Sequence, residues 1–75
     1  MDGVVIAVMG RGVRVKMNSE DKPVGDFNVI SQQDSSILAT VSVWKSVGSG
    51  LYNMIWSKGK APTILPKEGD TVQSV

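Results

Sequence analysis

Ile37-Leu38-Ala39-Thr40-Val41-Ser42-Val43-Trp44 is the stretch on which the reading of the fold turns. In an extended chain Ile37, Ala39, Val41 and Val43 point one way and Leu38, Thr40, Ser42 and Trp44 the other. That period of two marks a strand with one face on a core. Upstream, Gly3 to Met9 is a continuous apolar run rich in β-branched residues, and Gly10-Arg11-Gly12 interrupts it before Val13-Arg14-Val15-Lys16-Met17 resumes in strict alternation. Two strands joined at a glycine bend are expected there. Asn18 to Gly25 collects turn formers and reads as an exposed loop. Asp26 to Ser31 reads as a short strand that buries Phe27, and Ser31 to Ser35 as a turn whose side chains bond back to their own backbone.

Downstream of Trp44 the pattern loosens. Ser46 to Gly50 reads as flexible, and Leu51 to Trp56 suits a helical turn or a strand, because both put Tyr52 and Trp56 on one side. Ser57 to Lys60 is a turn, Pro62 and Pro66 exclude a regular helix, and Thr71 to Val75 is a last short strand. The expected class is all-β: a small five-stranded β-barrel or strongly curved sheet, with at most one short helix, forming a single domain over residues 1–75. Closure would hide the strand edges that a small β protein must otherwise protect.

Composition narrows the chemistry. In 75 residues there are 8 Lys and Arg against 7 Asp and Glu, a net charge of +1 that excludes a histone-like polycation and an acidic disordered tail. No Cys and no His are present, which removes disulfides, zinc fingers, thiolate nucleophiles and imidazole bases. The carboxylates Asp2, Glu20, Asp21, Asp26, Asp34, Glu68 and Asp70 fall mostly in loops and turns and read as solvated. Neither Gly10-Arg11-Gly12 nor Gly48-Ser49-Gly50 completes a phosphate-cradling motif. No enzyme activity and no cofactor are expected. The apolar run Val4 to Met9 is far below the ~20 residues of a membrane span, and Asp2 stands where a secretory signal would be basic. A soluble, cytoplasmic protein with no membrane association is the expectation. So small a core without disulfide or metal also predicts a homo-oligomer.

Binding has more material. Lys45 to Lys60 carries three lysines with Tyr52 and Trp56 and no acidic residue, while the other residues hold five cations against seven carboxylates. The segment is thus at +3 and the remainder at −2, an asymmetry suited to an anionic partner. On the second strand Val13, Val15 and Met17 should face the core, leaving Arg14 and Lys16 on the opposite face with Arg11 at the bend. Trp44 shares a face with Thr40 and Ser42, away from the core, where a base could stack on it. Tyr52 and Trp56 are either further stacking platforms or a lid over one barrel end.

The order of these features resembles the oligonucleotide/oligosaccharide-binding (OB) fold of single-stranded DNA-binding proteins and replication protein A. The resembling pieces are Gly3-Val4-Val5, Gly25-Asp26-Phe27-Asn28-Val29-Ile30, the central Ala39-Thr40-Val41-Ser42-Val43-Trp44, and Leu65-Pro66-Lys67-Glu68-Gly69-Asp70-Thr71-Val72. The resemblance implies that the Trp44 strand and its neighbouring loops form a nucleic-acid groove. The family carries a further strand after the Gly-Asp-x-Val element, so a five-strand count here needs a true hairpin at Gly10 to Gly12. The family's helix between strands three and four would also have to accommodate Gly48, Gly50, Gly59, Pro62 and Pro66. The leading expectation is a non-enzymatic module for single-stranded DNA or RNA. Arg11, Arg14, Lys16, Lys45, Lys58 and Lys60 would meet phosphates, and Trp44, Tyr52 and Trp56 would stack on bases. The rivals are a structural or assembly subunit, for example a viral or phage accessory protein that packs its Trp and Leu residues between protomers, and a peptide-binding module using an open strand edge.

Overall fold

Alternation does in Val13–Met17 what a period of two requires. Val13, Val15 and Met17 are buried, Arg14 is half-buried on the outer side, and Lys16 is exposed. The computed structural model describes residues 1–75, with no helix and six strands: β1 (Asp2–Met9), β2 (Gly12–Met17), β3 (Asp26–Ile30), β4 (Ile37–Gly48), β5 (Leu51–Ile55) and β6 (Thr71–Ser74). All neighbours pair antiparallel, and the order β1-β2-β5-β4-β3-β6 closes into a barrel. The consecutive strands β3, β4 and β5 form a meander, and β6 returns over the long 56–70 connection to lie beside β3. That arrangement is a Greek key, completed into a cylinder by the β1–β2 hairpin. A small all-β barrel of this kind fits an OB-like fold in general.

Each strand contributes its inward residues to one core. Val5, Val13, Val15, Phe27, Val29, Val41, Met54 and Val72 are almost completely buried and belong to a single cluster of 11 apolar residues. Burying side chains of this size contributes about 1.5–3 kcal/mol each, set against the entropy of ordering the chain. Phe27 occupies the core position that the alternation assigns to it.

Several local expectations are corrected. Met9 pairs with Gly12 in the true hairpin that the five-strand count needs, and the ambiguous Leu51–Ile55 segment, a strand between β2 and β4, brings the count to six. The stretch read as flexible is mostly strand: β4 runs on to Gly48, and Ser49-Gly50 makes a two-residue turn with Gly50 at φ +72°. Ile37 is exposed rather than core-facing, because a register shift between Val29 and Ile30 pairs Ile30 with Ile37 and places Leu38 in a bulge. Asp70 is buried rather than solvated: Oδ1 accepts from the Gln32 N–H at 3.0 Å and Oδ2 from the Lys67 N–H at 2.7 Å. Trp56 is only 4% exposed and sits in the core cluster, so it closes a barrel end and offers no ring for a base to stack on. Its backbone N–H donates to the Arg11 carbonyl at 3.0 Å, which ties the start of the 56–70 connection to the β1–β2 turn. No helix of the chain is long and apolar enough to cross a membrane.

Candidate nucleic-acid interface

The cations of β2 and β4 come together through β5. Arg14 lies opposite Asn53 in the β2–β5 ladder, and Asn53 lies opposite Lys45 in the β5–β4 ladder, so the three residues form one row across three strands. With strands about 4.8 Å apart, the Arg14 and Lys45 backbones are about 10 Å from each other. Asn53 is on the outer side, because its neighbours Tyr52 and Met54 face the core, yet it is buried. Its Oδ1 accepts a 2.9 Å hydrogen bond from Arg14 Nε. The bond holds the base of the guanidinium while its terminal nitrogens stay available, since no carboxylate lies within 4.0 Å of any Lys or Arg side chain. The sole ion pair joins the N-terminal ammonium to Asp2 at 4.0 Å. No Asp or Glu occurs on β2, β5 or β4.

Trp44 keeps the outward side that the alternation of β4 assigns to it, and a bulge turns Lys45 to the same side. The β4–β5 register passes from Val43 opposite Met54 to Lys45 opposite Asn53, which leaves Trp44 without a partner on β5. Such an extra residue shifts the alternation by one, so Lys45 joins Trp44 on the outer side, and the indole is 58% exposed. The Lys45 ammonium lies over the ring, 4.6 Å from its centroid, a cation–π contact that restrains both side chains and covers one indole face. Trp44 walls two concavities. One, of about 560 Å³, includes Lys45, Tyr52, Lys22 and Asp26. The other, of about 220 Å³, is formed with Arg11 and Ile55, without Lys45.

The structure therefore brings together Arg11, Arg14, Trp44 and Lys45 on or beside the outer side of β2, β5 and β4, with Tyr52 on the core side of β5. Tyr52 is half-buried, packed against the core, and reaches the larger concavity from below. Lys16 belongs to the far end of this surface, in a depression with Asn18, Glu20 and Gly50 at the β4–β5 turn. Lys58 and Lys60 are exposed in the 57–60 turn and line neither concavity around Trp44. Trp56 leaves the set because it is interior. Three residues of the site escape the sequence reading: Asn53, Lys22 and Asp26. Asn53 becomes legible only once Leu51–Ile55 is known to be a strand, Asp26 only once β3 is paired with β4 so that it faces Ser42, and Lys22 only once the loop before β3 is seen to line the same concavity. Searches of family models, curated proteins and solved structures return no match to this chain.

Proposed function

We propose that this protein is a non-enzymatic single-stranded nucleic-acid-binding module, the strand running over the outer side of β2, β5 and β4. The observation that carries the reading is the exposed Trp44 indole on the same outer side as Arg14 and Lys45, on strands that bear no carboxylate of their own, with neither cation ion-paired. A base stacked on Trp44 gains about 1–3 kcal/mol whatever its identity, and the cations supply the sequence-independent attraction to phosphate. Arg11, Arg14, Lys16 and Lys45 would make the phosphate contacts. Lys58 and Lys60 would extend the track beyond Arg11, a role supported by the backbone N–H of Trp56, just before their turn, donating to the Arg11 carbonyl.

Titration of single-stranded oligonucleotide against Trp emission tests this. Quenching at about 50 mM salt, arising from Trp44 and absent in Trp44→Phe, is the expected result. For four phosphate contacts on a single strand the affinity should fall about 50-fold between about 50 and about 200 mM salt. An emission spectrum indifferent to oligonucleotide at low salt rejects the reading.

A second reading, a structural or assembly subunit acting as a homo-oligomer, is favoured by the other half of β4. From Ile37 to Val41 that strand pairs with β3 only, the β5 ladder beginning at Ser42. Ile37, Ile64 and Leu65 are exposed. Uncharged open edges are what oligomers cover. Sedimentation at micromolar concentration separates the two: a tight oligomer indifferent to oligonucleotide supports assembly.

A further inference from the structure

The larger concavity beside Trp44 differs in character from the rest of the cationic surface. It lies between the Lys22–Asp26 segment and the Ser42–Ser46 stretch of β4, with the core-packed Val43 and Tyr52 also lining it, and its volume of about 560 Å³ is that of a small-ligand site. Asp26 is the single carboxylate lining it. This residue sits directly across from Ser42 in the β3–β4 ladder, two positions before Trp44. Lys22 and Lys45 line the same cleft, but neither comes within 4.0 Å of the Asp26 carboxylate, so its oxygens are not neutralised by a protein cation.

An anionic acceptor in an otherwise cationic groove repels phosphate and asks for an N–H. Among nucleic-acid groups, the exocyclic amines of cytosine, adenine and guanine supply one, and carboxylates accept from the N4 amine of cytosine. Thymine and uracil offer in its place a carbonyl oxygen, whose lone pairs oppose a carboxylate. We infer that this cleft holds one base of the bound strand against Trp44, with its exocyclic amine donating to Asp26 and the flanking phosphates on Lys22 and Lys45, so that the protein prefers cytosine over thymine or uracil. The inference rests on the single-strand reading and adds base selectivity to it. Stacking alone is indifferent to base identity, so any such preference has to come from a polar group placed as Asp26 is.

The experiment compares oligodeoxycytidine with oligodeoxythymidine of equal length, by Trp emission at low salt, on the wild-type protein, Asp26→Asn and Lys22→Ala. Cytidine should bind about tenfold tighter to the wild type, the effect of one good polar contact to a base. Asp26→Asn should bring that ratio close to one, because an amide donates to the thymine carbonyl as readily as it accepts from the cytosine amine. Lys22→Ala should weaken both ligands equally. Equal affinities in the wild type, or a preference that survives Asp26→Asn, overturns the cleft assignment and leaves single-strand binding standing. Absence of binding by both oligonucleotides overturns both. Asp26 is exposed, and the wild-type comparison does not depend on the folding of any variant.

Discussion

Arg14 Nε donates to Asn53 Oδ1 at 2.9 Å across the β2–β5 ladder, and on the other side of Asn53 stands Lys45. The amide is therefore the neutral middle of a cationic row. Asn53→Asp places a charge of opposite sign there with almost no change of shape. It should pair with Arg14 and withdraw about one phosphate contact, reducing the slope of log affinity against log salt by about 0.7. A slope unchanged from wild type in the oligonucleotide titration would show that Arg14 is not a phosphate ligand.

The two tryptophans should behave oppositely. Trp44 is mostly exposed and Trp56 is interior. Trp44→Ala should leave the free energy of urea unfolding within about 0.5 kcal/mol of wild type and cost about 1–3 kcal/mol of oligonucleotide binding. Trp56→Ala should cost about 3–5 kcal/mol of stability by opening a cavity at the barrel end. Near-equal stability losses in chemical denaturation would contradict the assignment.

Gly10 lies in the β1–β2 turn and Gly12 opens the strand after it, and the two differ in what surrounds them. A Cβ at Gly12 would fall 2.0 Å from the Met54 carbonyl oxygen and 2.8 Å from the Ile55 Cα, whereas one at Gly10 meets nothing within 4 Å. The β2–β5 strands approach as closely as they do only because position 12 lacks a side chain. Gly12→Ala should cost more than about 2 kcal/mol and broaden the amide signals of β5, while Gly10→Ala should be nearly neutral. Comparable thermal midpoints for the two variants would refute this.

Asp70 ties two loops together from a buried position, accepting one N–H from Gln32 and one from Lys67. Asp70→Asn keeps the shape but turns one acceptor into a donor that faces an N–H. A loss of about 1–3 kcal/mol is expected, with hydrogen exchange at Gln32 and Lys67 accelerating first. Unchanged protection at both amides would rule out the clamp.

Asp34 carries the pH dependence that can be read from the fold. Hydrogen bonds from the Ser36 hydroxyl at 2.7 Å and the Ser36 N–H at 3.0 Å stabilise its charged form and hold its carboxyl below the ordinary value of 3.8. A depressed folded-state value means that the contribution to stability is fully present above 3.8 and is lost as pH falls through the lower folded value. An NMR titration of the Asp34 carboxyl should give a midpoint below that of the same residue in the unfolded chain, and Ser36→Ala should raise it. A midpoint at or above the unfolded value would disprove the bonding.

What the amino-acid order alone determines is the part ruled by local periodicity. Val13 to Met17 alternates without exception, so its inward and outward faces follow from backbone geometry, and Ala39 to Trp44 does the same. Both the buried Phe27 and the outward Trp44 are legible from their own strands. The β5 segment is not, because Leu51 to Ile55 has apolar residues on both faces and either period fits it. Until that strand is inserted between β2 and β4, nothing relates Arg14 to Lys45, and Asn53 has no reason to be noticed.

Tertiary structure alone decided the rest, and each case has a physical cause. A bulge frees Trp44 from its β5 partner, and bulges come from a mismatch between two strands that neither reveals by itself. Trp56 is interior because closing the barrel leaves an end that a large apolar ring fills better than water does. Asp70 is buried because two distant loops present N–H groups to it, and no property of residues 67–72 names Gln32 as a partner. Local sequence chooses which side of a strand a residue occupies, whereas the pairing of strands far apart in the chain determines which residues share a surface.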